Sequence, residues 1–367
     1  MCYRFSLGMS SAQFRIARYQ LAGLLPGTGA ARQAAHCHKM QLHRDVEMHT
    51  PVQSSPRRPT DPMSAEELTA HPLFPRIDRR LALHLIAIHE QTPRLARLKA
   101  SHRKWLMTQS LYALTLERTE DDPDSGLSQS RLVEIATSIG AVSHNTARAF
   151  LQELLTYKFL AEIPTPHDKR LRLLDTTEAS RKAMTGWFMG HMSCLDELDN
   201  GGRHARCAAD GRIFRAAQPR AARRLIENPL WRYPAESINS FLQSELGGMI
   251  LHEIISRIDD FTPRDGKVVV GPSSLAELAA QYFISVTNLR RMFRKAETSG
   301  LMGWSVTSEQ RVLWLSAAFL DDYFLWQAQK FAALDEAYCW AVRNVAGDTT
   351  ASPPDAAELS QHAGAAE

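Results

Sequence analysis

Leu132–Thr176, LVEIATSIGAVSHNTARAFLQELLTYKFLAEIPTPHDKRLRLLDT, carries three different physical signals in succession. Leu132, Ile135, Ala136 and Ile139 form one apolar face of a short helix, and Gly140 supplies a residue that turns at positive φ. Ser143 is placed to cap a second helix that turns Ala147, Phe150, Leu151, Leu154 and Leu155 inward. The same spacing leaves His144, Asn145, Thr146 and Arg148 on its exposed N-terminal half. Beyond Leu160 the period shifts towards two, which predicts strands at 161–164 and 171–174 joined by the tip PTPHDK. The pattern is that of a helix-turn-helix with a β-wing, and a basic tip beside a helix end suits a DNA backbone.

The order helix, turn, second helix, strand, HDKRLRLL and a new helix start at TTEASRKAM resembles the MarR-type winged-helix regulators over roughly residues 127–198. The Asp-x-Arg wing signature of that family falls on Asp168 and Arg170, and its Thr-containing helix cap on Thr176 or Thr177. The turn here holds one extra residue, and Lys158 stands where a glycine usually precedes the wing. The resemblance implies a recognition helix in the major groove and the wing arginine Arg170 in or beside the minor groove. It also implies a small-molecule effector held between the long helices and the reader, although no residue identifies one.

The pattern returns at Ser273–Ser316, SSLAELAAQYFISVTNLRRMFRKAETSGLMGWSVTSEQRVLWLS. Leu275 aligns with Leu132, Ala279 with Ala136, Arg290 with Arg148 and Leu301 with Phe159. The period of about 142 residues is too long for a solenoid and fits a duplicated domain. The second copy has its glycine before the wing and lacks the Asp-x-Arg pair, but its second helix is the more basic, with Arg290, Arg291, Arg294 and Lys295 beside Ser285, Thr287 and Asn288. Asn side chains pair with adenine and Arg with guanine or phosphate, although short polar residues early in a helix also serve as ordinary caps. In the first copy Lys169, Arg170 and Arg172 belong to the wing, and alternation sends 170 and 172 to one face as a phosphate clamp.

The expected fold is therefore mainly α, with two tandem winged helix-turn-helix units, each flanked by long helices. Residues 1–62 read as a disordered basic tail, 63–200 as the first half, 201–235 as an Arg-rich connector, 236–345 as the second half and 346–367 as a disordered acidic tail. The basic tail is acid-poor, with an organelle-targeting peptide as the alternative, and Met63 is the more natural domain start. Flanking helices are expected over 76–120, 177–198, 237–261 and 317–345, the last with aromatic residues at packing spacing. Paired against one another they would make an internal pseudo-dimer, with a homodimer as the competing arrangement. In 203–224, seven arginines face one acid, Asp210, and Pro219 is expected to interrupt any long helix; a phosphate-binding arm is the functional alternative to a connector.

Lys plus Arg exceed Asp plus Glu by only three, so the distribution of charge matters more than its sum. Five cysteines without a regular framework suit a reducing compartment, so cytoplasm is expected, and no stretch reaches the ~20 apolar residues that cross a bilayer. The pairs His191/Cys194 and His204/Cys207 have spacing compatible with zinc, but a Cys on an amphipathic helix is more often plain core, and no metal or cofactor is expected. No phosphate loop, nucleophile elbow or His-Glu-x-x-His is present, so the chain does not read as an enzyme. The expected function is sequence-specific binding of double-stranded DNA in transcriptional regulation. The alternatives are a plasmid-type replication initiator with tandem winged helices and a winged-helix protein-interaction module.

Overall fold

The computed structural model describes residues 61–91, 101–122, 124–140, 142–164, 172–243, 246–282, 284–306 and 310–347. The chain is mostly helical with two small antiparallel sheets. Helix α1 (Ala65–Ala70) opens on a capping box, Ser64 and Glu67 each bonding the other's backbone N–H. It is followed by α2 (Phe74–Gln91) and α3 (His102–Leu116). Residues 92–100, within the first expected flanking stretch, lie outside the described residues.

The first repeated unit comprises α4 (Gln129–Ser138), α5 (His144–Thr156) and the hairpin of β1 (Leu160–Ile163) with β2 (Leu173–Thr176). The second comprises β3 (Lys267–Pro272), α12 (Leu275–Gln281), α13 (Val286–Thr298), β4 (Met302–Val306) and β5 (Arg311–Ser316), with β5 central in the sheet. Local bonding repeats between the units. Ser128 accepts the N–H of Arg131, and Ser274 that of Glu277. The Phe159 N–H reaches the Leu154 carbonyl at 2.8 Å, and the Leu301 N–H that of Ala296 at 3.0 Å. Thr177 then donates to Phe159, as Ser316 does to Leu301, closing each hairpin onto the helix before it. Lys158 and Gly300 occupy equivalent positions just past the second helix, with φ of 58° and 68°. Lys158 therefore holds a left-handed backbone that costs an L-residue about 1–2 kcal/mol.

Between the units lie α6 (Glu178–Asp199), α7 (Arg203–Ala209), α8 (Gly211–Glu227), α9 (Pro229–Arg232), α10 (Glu236–Leu242) and α11 (Gly247–Ser256), and α14 (Ala317–Gly347) closes the described chain. Helix α6 ends on a left-handed residue, Asn200. The single helix expected over 237–261 is broken between α10 and α11, where Leu246 has a φ of 77°.

The segment read as a connector is instead part of the core. Helix α8 runs through Pro219 and packs between α3 and α14, burying Ile213, Ala217, Ala221, Ala222 and Leu225. Its arginines occupy the opposite face and are largely paired: Arg220 and Arg224 with Glu336, Arg223 with Glu117, and Arg212 with Asp210. Arg203 is wholly buried, bonding Asp335 at 2.7 Å and Asp199 at 2.6 Å. Asp196 accepts the backbone N–H groups of Arg203 and His204, satisfying the start of α7. These pairings remove most of the charge that a phosphate-binding arm would need.

The long helices expected to flank the two units do pack on one another. Helix α2 contacts both α6 and α11, and α14 contacts α8, α1 and α6. The approach of α2 to α6 is close because Gly186 faces Ile88 and Gly190 faces the His84 ring, whose Nε2 bonds the Gly186 carbonyl at 2.8 Å. The aromatic residues Phe319, Tyr323, Phe324, Trp326, Phe331 and Tyr338 of α14 are buried. Among the described residues no helix is long and apolar enough to cross a membrane.

Candidate nucleic-acid interface

Apolar periodicity fixes which face of α5 is free. Ala147, Phe150, Leu151 and Leu154 are buried, whereas Ser143, His144, Asn145, Thr146 and Arg148 are exposed. The Ser143 hydroxyl accepts the Thr146 N–H at 3.3 Å and lies 2.9 Å from the Thr146 hydroxyl, so Ser143 and Thr146 have a capping role in the free protein. His144, Asn145 and Arg148 keep their polar ends towards solvent.

Helix α13 is built the same way and is more cationic. Leu289, Met292, Phe293 and Ala296 are buried, which leaves Ser285, Thr287, Asn288, Arg290, Arg291 and Arg294 exposed. Arg291 donates to the Asn288 side-chain oxygen Oδ1 at 3.4 Å, a local contact that leaves the guanidinium other donors. Among the described residues none of Arg148, Arg290, Arg291 or Arg294 is in an ion pair, in contrast to the arginines of α8.

The two hairpins differ. Lys169 and Arg170, and with them the clamp expected between 170 and 172, lie outside the described residues. Arg172 is exposed but ion-paired with Glu162 across the hairpin, so its charge is already opposed. In the second unit two further cations stand on aromatic rings, Lys267 over Trp314 at 4.4 Å and Arg311 over Trp304 at 4.8 Å. Trp304 in turn stacks on Phe293 of α13. The sequence reading did not single out Lys267 or Arg311; alternation along RVLWLS turns Trp314 away from the buried Leu313 and Leu315 and so points to the ring under Lys267, whereas Arg311 shares the parity of Leu313 and its place over Trp304 needed the strand register. Gly303 is required beneath this layer, because a Cβ there would lie 2.4 Å from the Trp314 ring.

The His/Cys pairs considered for zinc are not assembled. His191 and Cys194 are buried in α6, His191 near Trp187 and Phe331, while His204 is exposed on α7 and Cys207 faces the core. Among the described residues no group of three or more His, Cys, Asp or Glu side chains is placed to hold a metal. No family model, curated protein or solved structure matches the chain.

Proposed function

We propose that this protein binds double-stranded DNA sequence-specifically through two winged helix-turn-helix units carried on one chain, in the service of transcriptional regulation. The single observation behind this reading is the recurrence of one surface arrangement. In both units the second helix of a helix-turn-helix buries its apolar face and exposes Asn and Arg near its N-terminus, with an antiparallel hairpin beside it. Exposed Asn and Arg at that position suit base edges, and the hairpin suits the flanking backbone. The packing of α2, α6, α11 and α14 supports an internal pseudo-dimer, in which one polypeptide presents two unlike readers to adjacent half-sites.

The second unit is expected to supply most of the affinity, since α13 and the three-stranded sheet expose Arg290, Arg291, Arg294, Lys267 and Arg311. The near-neutral surface of α5 favours a second reading for the first unit, that of a protein-docking face, and a tandem winged-helix replication initiator shares the same surfaces. Selection of bound duplexes from a random pool tests all three. Paired, inverted half-sites support regulation, direct repeats support the initiator, and no enrichment with no salt-dependent binding leaves protein docking.

A further inference from the structure

A cavity of about 130 Å³ lies among α3, α6, α9, α11 and α14, away from both candidate DNA-facing helices. Four of the seven tryptophans wall it, Trp105, Trp187, Trp231 and Trp326, each from a different helix. The Trp231 ring stacks on Trp326 at 4.8 Å and meets Trp105 at 5.3 Å, so the aromatic wall is continuous. A cavity of this size holds about one benzene-sized molecule.

Polar groups interrupt the aromatic wall, and three of them define what the cavity takes. The Trp231 indole N–H is buried without an acceptor in the protein, and the buried Nε2 of His102 also lacks a partner. A native fold rarely strands such groups, because each is costly unless something answers it. Trp326, by contrast, donates its indole N–H to the Trp231 carbonyl at 3.2 Å. The third group is Lys330, 2% exposed, whose Nζ donates to Gln327 at 2.6 Å. Its charge is opposed by buried Asp78, so the pair sums to zero whichever member holds the proton. His102 and His252, also in the wall, are held neutral by burial, His102 down to about 4. An entering carboxylate or ammonium would therefore bring an unopposed charge into a low-dielectric site.

We propose that this cavity binds a small, uncharged, single-ring molecule offering a hydrogen-bond acceptor to the Trp231 indole N–H, with aryl ketones and aryl amides as the fitting class. Titration of the full chain with acetophenone, benzoate and benzylamine, followed by calorimetry and tryptophan fluorescence, tests it. Acetophenone is expected to bind saturably and quench emission, and to bind at least tenfold more tightly than either charged ring. Trp231→Phe removes the donor while keeping an aromatic ring and is expected to weaken acetophenone about tenfold, the worth of one such bond. Met249→Trp, which fills the cavity from its rim, is expected to abolish binding and serves where the first variant fails to fold. Absence of saturable acetophenone binding to the unaltered chain, or tighter binding of benzoate or benzylamine, overturns the proposal; unchanged affinity in folded Trp231→Phe overturns the assigned donor.

Discussion

Replacing Asp335 with alanine is expected to be among the most damaging single changes in the chain. Asp335 is fully buried on α14, and its two oxygens accept three N–H groups: Arg203 Nε at 2.7 Å, Arg203 Nη2 at 3.3 Å and the Met63 backbone at 2.8 Å. Truncation strands Arg203 Nε and the Met63 N–H. Arg203 would not be wholly without an opposing charge, because Asp199 still accepts from both of its terminal nitrogens, at 2.6 and 2.8 Å. The expected loss is therefore that of one arm of a buried ionic network plus an orphaned backbone donor, about 3–5 kcal/mol. Asp196→Ala is the control: this carboxylate is 20% exposed and mainly caps α7, so its loss should cost only about 1 kcal/mol. Urea unfolding of the two variants beside the unaltered chain, followed by far-UV circular dichroism, measures both. A loss below 1 kcal/mol for Asp335→Ala, or equal losses for the two, would refute the reasoning that α7 is locked to α14 through Arg203.

Other consequences follow from the same structure. Burial holds His102, His191 and His252 below the usual histidine range, so the unfolded chain takes up protons that the native state refuses. Stability should therefore fall as pH drops from about 6.5 towards 4. Burial raises Asp78 to about 6, which acts in the opposite sense over that range, but three histidines outweigh one carboxyl. Denaturant midpoints at pH 4.5, 5.5 and 6.5 check the sign, and a midpoint that rises on acidification contradicts it. Gly190→Ala would place a Cβ 2.3 Å from the His84 ring and should destabilise by about 1–3 kcal/mol, read as a lowered Tm; an unchanged Tm would show that α2 and α6 can separate freely. Lys158→Gly should relieve the left-handed backbone and stabilise by up to about 1 kcal/mol, and destabilisation in a urea titration would contradict that. Neutralising Arg290 and Arg294 together should lower the slope of log binding constant against log salt by about two on random duplex, and an unchanged slope removes them from the phosphate contacts.

Legibility in the sequence followed the range of the interaction. Helices α4 and α5 could be read because Leu132, Ala136, Ala147, Phe150 and Leu154 lie within a few turns of one another, and their burial is set by local periodicity. The cap at Ser143 was legible for the same reason. Helix α8 was not, because its small buried residues, Ala217, Ala221 and Ala222, give little hydrophobic signal beside so many arginines, and Pro219 reads as a breaker. Tertiary contact with α3 and α14 outweighs the lost backbone bond. The partners of Arg203 at Asp335, and of Arg220 at Glu336, are distant in sequence and follow no periodic rule. The tryptophan cavity was invisible for that reason too, since its four indoles come from four helices. At the candidate interface, the exposed faces of α5 and α13 follow from periodicity, whereas the pairing of Arg172 with Glu162 needed the hairpin register.

The most direct test is protection of a selected duplex by the full chain, with its stoichiometry determined by sedimentation. One polypeptide per duplex, protecting two half-sites about one helical turn apart and losing the weaker footprint on Asn145→Ala and the stronger on Asn288→Ala, is the predicted result. Failure to enrich any duplex at low salt, or identical footprints from both variants and the unaltered chain, would contradict it.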